Sequence, residues 1–196
     1  MSKTLMNRSY QPDDSDIRLR LVTIEDAPQL HRVIKSNMIR LKRYLPKTAK
    51  AGQSLHAAKR FVEEKIRQAS HRKLFCFVII TEQQEIIGTI NLKNLDWSVP
   101  KGELSYFIDQ DHLRKGYTSA AVAWIVKYAF EKLKLEKLYA KVAPDNVASQ
   151  KTVLKNGFIQ EGYLRQEYRT GDGELIDTQY YGLQKSDYLK ASSSLN

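Results

Sequence analysis

A short basic loop, Leu113-Arg-Lys-Gly-Tyr-Thr118, has the residue types of an anion-binding site. It follows an alternating, aromatic-containing run, Glu103–Asp109, that is typical of a half-buried strand. Beyond Tyr117 the apolar residues recur at helical spacing. The loop therefore ends at a helix N-terminus, where unpaired N–H groups and the helix dipole favour a pyrophosphate, and Arg114 and Lys115 add positive charge. The alternative is a solvated loop that merely precedes a helix.

A second strand and helix follow, each with its own boundary residues. The segment Lys137–Ala143 has the pattern of a strand, and Pro144 with Asp145 ends it. Asn146 is a good N-cap for the next helix, which ends where Gly157 can adopt the left-handed conformation. The order of strand, loop, helix, strand and capped helix predicts a binding site for a nucleotide-containing cofactor.

In this order and spacing, the residues resemble the acyl-CoA-binding core of the GNAT superfamily of N-acetyltransferases. The motifs that carry the resemblance are the strand Leu104–Asp109, the loop Leu113–Thr118, Asn146-Val-Ala-Ser149 and Lys155-Asn-Gly-Phe158. The chain is most similar to the Rim-type branch, which acetylates the N-termini of ribosomal proteins. Three further segments support that branch: Ile17–Leu21, Arg40–Pro46 and Gly171–Tyr181.

The resemblance implies acetyl-CoA as cosubstrate, no metal, and direct attack of an amine on the thioester in a ternary complex. The residues that it implies for cofactor binding are Phe107, Ile108, Leu113, Arg114, Lys115, Gly116, Tyr117, Thr118, Ser119 and Asn146. Two of them depart from the family pattern, which has Arg or Gln at Leu113 and Gly or Ala at Thr118. Backbone N–H groups do not depend on side-chain identity, so we expect the phosphate site to remain. A degenerate member that binds acyl-CoA or RNA without catalysis is the alternative.

The resemblance also implies three catalytic candidates. Ser149 corresponds to a proton donor near the sulfur, and Glu167 corresponds to the general base, with Glu103 as its competitor. Ser149 also suits a helix residue that is hydrogen-bonded locally, and either glutamate also suits a solvated surface. A protein α-amine has a pKa near ~8, so a base acting through water is sufficient.

Length and composition fit one domain. A chain of 196 residues with 42% hydrophobic content can bury one core. We expect a flexible N-terminal segment at 1–15, an acetyltransferase domain at 16–190 and a flexible tail at 191–196. The expected fold is α+β, a mixed, mainly antiparallel sheet with helices on both faces. The remaining expected elements are strands Ile17–Leu21, Leu74–Thr81, Ile86–Leu92, Ile159–Tyr168 and Asp177–Leu183, and helices Ile24–Met38 and Ser54–Ala69.

Several classes of protein are disfavoured. No apolar run approaches the ~20 residues of a membrane span, and no signal-peptide core is present, so a cytoplasmic protein without a membrane partner is expected. The single cysteine, Cys76, lies in an apolar run and is expected to be a buried, inert thiol. The four histidines have no metal-ligand spacing: His31, His56, His71 and His112.

The distribution of charge along the chain indicates which class of acceptor to expect. The net charge is +10, and thirteen Lys and Arg residues against two Glu lie between His31 and Lys73, which favours an acidic partner near the acceptor entrance. Ordinary solubilising charge is the alternative. RNA binding is disfavoured because Tyr44 and Phe61 are the only aromatic residues there. The N-terminal amine of a protein is therefore expected as the acceptor, with a ribosomal protein as the first candidate. A polyamine or aminoglycoside-type amine is the alternative, and a homodimer is left open.

Overall fold

The computed structural model describes residues 10–12 and 15–193. Its strands are β1 (Ile17–Leu21), β2 (Phe75–Thr81), β3 (Ile86–Asp96), β4 (Lys101–Ile108), β5 (Lys137–Val142), β6 (Ile159–Arg169) and β7 (Leu175–Gln184). Its α-helices are α1 (Ala27–Ser36), α2 (Met38–Tyr44), α3 (Pro46–Ala49), α4 (Leu55–Ser70), α5 (Tyr117–Lys127), α6 (Val147–Lys155) and α7 (Lys185–Ser193). A π-helical turn, Tyr128–Lys132, continues α5.

The seven strands form one sheet in the order β1-β2-β3-β4-β5-β7-β6. Within the described residues, β4 and β5 are the parallel neighbours and the other neighbouring pairs are antiparallel. The prediction of a mixed, mainly antiparallel sheet in an α+β domain is confirmed. The parallel pair lies at the centre of the sheet, where a crossover through α5 joins its two strands.

Helices cover both faces of the sheet, and β2 shows why. Phe75, Phe77 and Ile79 point to a core shared with α5 and α6, whereas Cys76 and Val78 point to a core shared with α1 to α4. A strand buried on both faces is a continuous apolar run, as the sequence of β2 is. The expectation that Cys76 is buried is confirmed, and burial raises the pKa of its thiol to about 11.

The first predicted helix, Ile24–Met38, is wrong as a single element. A 3₁₀ turn precedes α1, which ends at Ser36, and α2 begins two residues later. The break falls on Asn37, which is buried and whose side-chain amide donates to Val33 O at 2.8 Å, one turn earlier, as well as to Asp109. Asn competes with helical backbone bonds in this way, so the break has a local cause.

The structure describes only part of the two terminal segments that we expected to be flexible. Residues 1–9, 13–14 and 194–196 lie outside the described part of the chain. Tyr10 forms a bridge with Leu19, and its ring contacts Trp124 at a centroid distance of 5.0 Å. At the other end, α7 continues through Ser193.

Candidate active site

The central parallel pair of strands opens into a cavity. Pairing between β4 and β5 extends only from Lys101 opposite Lys137 to Glu103 opposite Tyr139. Beyond Glu103 the strands diverge, and a cavity of about 340 Å³ occupies the gap. Eight of the predicted site residues line it: Glu103, Phe107, Ile108, Leu113, Thr118, Asn146, Ser149 and Glu167. The other five, Arg114, Lys115, Gly116, Tyr117 and Ser119, lie on the adjoining loop and the first turn of α5.

The start of α5 has the geometry of an anion site. Gly116 is its N-cap in the left-handed conformation, with φ 81°, and Ala120 is the first residue to bond back, to Gly116 O at 3.0 Å. The N–H groups before Ala120 therefore have no acceptor within the helix. A Cβ on Gly116 would meet nothing within 4 Å, so the space beside the helix end is open. These features fit a pyrophosphate.

Asn156 connects the two helices that border this end of the cavity. Its side-chain amide donates to Ser119 Oγ at 3.1 Å and to Thr152 O at 2.8 Å. The next residue, Gly157, has φ 82°, the left-handed helix end that the sequence predicts. The cap of α6 is thus bonded to the first turn of α5.

The first turn of α6 positions Ser149. Asn146 Oδ1 accepts the Ser149 N–H at 3.2 Å, so its predicted capping function is confirmed. The Ser149 hydroxyl lies 2.9 Å from the hydroxyl of Tyr106 on β4, across the cavity from its own helix. Burial raises the pKa of Tyr106 to about 12. Tyr106 had no signal in the sequence beyond its place in an alternating strand.

Glu103 is buried at the point where the strands separate. It is 7% exposed, and its carboxylate accepts from Lys93 Nζ at 2.9 Å and from Asn94 Nδ2 at 2.6 Å. Burial, and then the Glu103 charge, raise the pKa of both Tyr139 and Tyr168 to about 12. The alternative that Glu103 is a solvated surface residue is wrong.

Glu167 lies on the opposite wall, at an irregularity in β6. The β6–β7 register shifts between Leu164 and Tyr168, and Gln166 has φ 50°. This shift brings Glu167 to the cavity, where it forms an ion pair with Lys141 while its side chain remains 37% exposed. Glu167 is thus more accessible to water than Glu103.

A buried network around Asn37 fixes the far end of β4. The Asn37 amide donates to Asp109 Oδ1 at 2.6 Å, and its oxygen accepts from Arg40 Nη2 at 2.9 Å. Arg40 also donates to the backbone oxygen of Ile108, which is therefore already bonded. Burial lowers the pKa of Arg40. Arg40 is thus part of the cavity wall, and it is not free to attract an acceptor.

Other basic residues of α2 are paired with carboxylates in the β6–β7 turn and in the loop between β5 and α6. Lys42 forms an ion pair with Asp172, and Arg43 contacts Asp145 at 2.7 Å and Glu174 at 3.0 Å. The basic entrance expected from the sequence is therefore partly neutralised by carboxylates more than a hundred residues away in the chain. Three exposed basic residues border a second surface pocket on α3 and α4 and have no such partner within the described residues: Lys47, Lys50 and Arg60.

Two negative findings concern the described residues alone. No helix in them has the length and hydrophobicity needed to cross a membrane. No group of three or more His, Cys, Asp or Glu side chains in this part of the chain is arranged to hold a metal ion.

A helix N-terminus open to an anion lies beside a cavity between two diverging parallel strands, an arrangement that suits a ligand with a phosphate group. Residues 16–159 match the family described as the acetyltransferase (GNAT) domain. The chain belongs to this family, and the resemblance seen in the sequence is confirmed.

Similar proteins with curated descriptions are named as N-acetyltransferases. An uncharacterized N-acetyltransferase p20 of Bacillus licheniformis is 35% identical over 111 residues, 57% of this chain and 62% of that protein. The ribosomal-protein-serine acetyltransferase of Escherichia coli is 29% identical over 52% of this chain and 55% of its own length. The spermidine N(1)-acetyltransferase of Vibrio cholerae is 28% identical over 59% and 66%. The chain thus spans about three fifths of the length of these relatives.

Solved structures share the fold over nearly the whole chain. The ribosomal-protein-S5-alanine acetyltransferase of Vibrio fischeri has a TM-score of 0.83 at 22% identity, covering 93% of this chain and 99% of that one. RimL, a ribosomal L7/L12 alpha-N-protein acetyltransferase solved with coenzyme A, has a TM-score of 0.84 at 18% identity, covering 90% and 98%.

Proposed function

We propose that this protein is an acetyl-CoA-dependent N-acetyltransferase whose acceptor is the N-terminal amine of a protein, with a ribosomal protein as the first candidate. Family membership supports acetyl transfer. The acceptor is proposed from the charge of the cavity and from the ribosomal-protein acetyltransferases among its relatives.

The observation that carries the acceptor proposal is the mixed charge of the cavity. Within the described residues its charged lining consists of Arg40, Lys93 and Lys141 against Glu103 and Glu167. Each glutamate already pairs with a lysine, at Lys93 and Lys141. A polycation needs unpaired carboxylates, whereas an acceptor with one amine and nearby acidic groups complements a cavity that holds both signs.

A polyamine is the second candidate acceptor. It is supported by the spermidine N(1)-acetyltransferase relative. It is opposed by the pairing of both glutamates of the described lining with lysines, because no unpaired carboxylate is left there for the second ammonium group of a polyamine. The two candidates therefore differ in the charge next to the reacting amine: it is negative in an acidic peptide and positive in a polyamine.

The proposed chemistry assigns a task to each side of the cavity. When bound, acetyl-CoA supplies the acetyl group as a thioester. We propose that the N-terminal turn of α5 binds its pyrophosphate, that the edges of β4 and β5 hold its pantetheine arm, and that Ser149 lies near its sulfur. Glu167, the more exposed carboxylate, accepts the proton of the attacking amine through water, while Glu103 keeps Lys93 and Asn94 in place.

The experiment compares four acceptors with the same protein and acetyl-CoA. Two peptides of equal length have acidic or basic residues after the first position, a third is the acidic peptide with a blocked N-terminus, and the fourth is spermidine. Tandem mass spectrometry locates the acetyl group. We expect acetylation of the α-amine of the acidic peptide and none of the blocked one. Preferential acetylation of spermidine would contradict the acceptor proposal.

A further inference from the structure

The hydroxyl pair of Tyr106 and Ser149 has two hydrogen-bond arrangements. Tyr106 OH lies 2.9 Å from Ser149 Oγ and 3.3 Å from Ser149 O. If Ser149 donates to Tyr106 and Tyr106 donates to the backbone oxygen, neither hydrogen is available to a ligand. If Tyr106 donates to Ser149 Oγ, the Ser149 hydrogen is free to point into the cavity, which both residues line.

We propose that Tyr106 is a positioning residue that donates to Ser149 Oγ and thereby directs the Ser149 O–H at the departing sulfur. The inference rests on the acetyl transfer proposed above. Ser149 then stabilises the thiolate by a hydrogen bond as the C–S bond breaks. Hydrogen bonds to ionised acceptors are stronger than neutral ones, so the interaction grows as negative charge develops on sulfur.

The pair acts by hydrogen bonding and not by giving up a proton. Burial raises the pKa of Tyr106 to about 12, whereas a thiol has a pKa near ~8.5, so proton transfer from this phenol to a thiolate is unfavourable. In the proposed step the amine nitrogen forms a bond to the carbonyl carbon and the sulfur leaves with the bonding electrons. The amine proton passes through water to Glu167, and the thiolate takes a proton from solvent.

The surroundings of Tyr106 favour donation to Ser149. Thr152 lies on the next turn of α6, and its hydroxyl hydrogen is already donated to Ala148 O at 2.9 Å. The Ser149 backbone oxygen lies within the helix, where it accepts from the residue four positions on. Ser149 Oγ is the nearer of the two Tyr106 contacts, by 2.9 against 3.3 Å.

A binding measurement separates this positioning from simple packing. Calorimetric titrations use CoA and desulfo-CoA, which lacks the sulfur, with the wild type, Tyr106→Phe, Ser149→Ala and the double variant. Tyr181→Phe is the matched control, because Tyr181 is also buried but donates to Gln179 Oε1 at 2.9 Å away from the cavity. The single cysteine, Cys76, is 1% exposed, so a mixed disulfide between CoA and the protein does not interfere with the titration.

We expect Tyr106→Phe to weaken CoA binding about twofold to tenfold and to leave desulfo-CoA binding unchanged. The double variant should bind CoA as Ser149→Ala does, because the two hydroxyls act as one unit. In turnover, Tyr106→Phe should lower kcat about tenfold to a hundredfold without raising the KM for acetyl-CoA.

Equal losses for CoA and desulfo-CoA would show a packing effect and overturn the proposal, as would additive losses in the double variant. If the wild type acetylates no peptide, the acceptor proposal fails. The comparison of CoA with desulfo-CoA still decides the function of Tyr106 in that case.

Discussion

Replacing Gly116 with alanine tests the phosphate site with little change elsewhere. Gly116 has φ 81°, and a Cβ there would meet no protein atom within 4 Å. The substitution therefore causes backbone strain without a steric clash with the protein. An L-residue in the left-handed region costs about 1–2 kcal/mol. For a domain of this size we expect the melting temperature to fall by about 2–4 °C per kcal/mol.

The effect on CoA binding should be larger. If the N–H groups around Gly116 bind the pyrophosphate, the new methyl group occupies ligand space and prevents at least one charge-assisted hydrogen bond. Such a bond contributes about 1.5–3 kcal/mol, which corresponds to a loss of about tenfold to 150-fold in CoA affinity.

Gly173 provides the matched control. It has φ 90° and likewise nothing within 4 Å of an added Cβ, but it lies in the turn between β6 and β7. Differential scanning fluorimetry and calorimetric titration with CoA are applied to both alanine variants. We expect similar losses of stability and a loss of CoA affinity in Gly116→Ala alone. Equal CoA affinities in the two folded variants would refute the assignment of the pyrophosphate to this loop.

Three further predictions use the walls and surroundings of the cavity. Glu167→Gln should lower kcat about tenfold to a thousandfold near pH 7. In a pH profile of kcat the loss should shrink above the amine pKa of about 8, because the amine is then neutral without the help of a base. A pH-independent loss in Glu103→Gln, with little effect in Glu167→Gln, would reverse the functions of the two glutamates. Arg40→Ala should reduce the free energy of unfolding, measured in urea, by about 1.5–3 kcal/mol, because it leaves the Ile108 carbonyl without its donor. Arg43→Ala removes exposed ion pairs and should change this free energy by less than about 1 kcal/mol. Equal effects of the two variants would contradict the network around Asn37. Replacing three exposed basic residues by Gln should raise the KM for an acidic peptide and flatten its salt dependence, while a control triple on the end of α5 and the segment after it should not. The test triple is Lys47, Lys50 and Arg60, and the control triple is Lys127, Lys132 and Lys134. If both triples behave alike, no acceptor docks beside Lys47, Lys50 and Arg60.

Local features were predictable from the sequence because their causes are local. The Asn146 cap and the left-handed Gly157 each follow from the conformational preference of one residue. The apolar run of β2 also indicates its own burial, whereas the burial of β4 does not follow the alternation of its sequence.

Contacts between distant segments could not be predicted in this way. The Tyr106–Ser149 pair joins residues 43 positions apart, and the bond from Arg40 to the Ile108 carbonyl joins residues 68 apart. The basic segment shows why this matters. Its sequence indicates a large positive charge, but Lys42 and Arg43 are matched by carboxylates that only the folded chain brings near.

The central claim, acetyl transfer to a protein N-terminus, is tested most directly by competition in one reaction. The protein, limiting acetyl-CoA, an acidic peptide with a free N-terminus and an equal concentration of spermidine are mixed, and the two acetylated products are quantified by mass spectrometry. Under these conditions the product ratio equals the ratio of the kcat/KM values. We predict that the peptide acetylated on its α-amine is the main product. A main product of acetylated spermidine, or a peptide acetylated only on lysine side chains, would contradict the account.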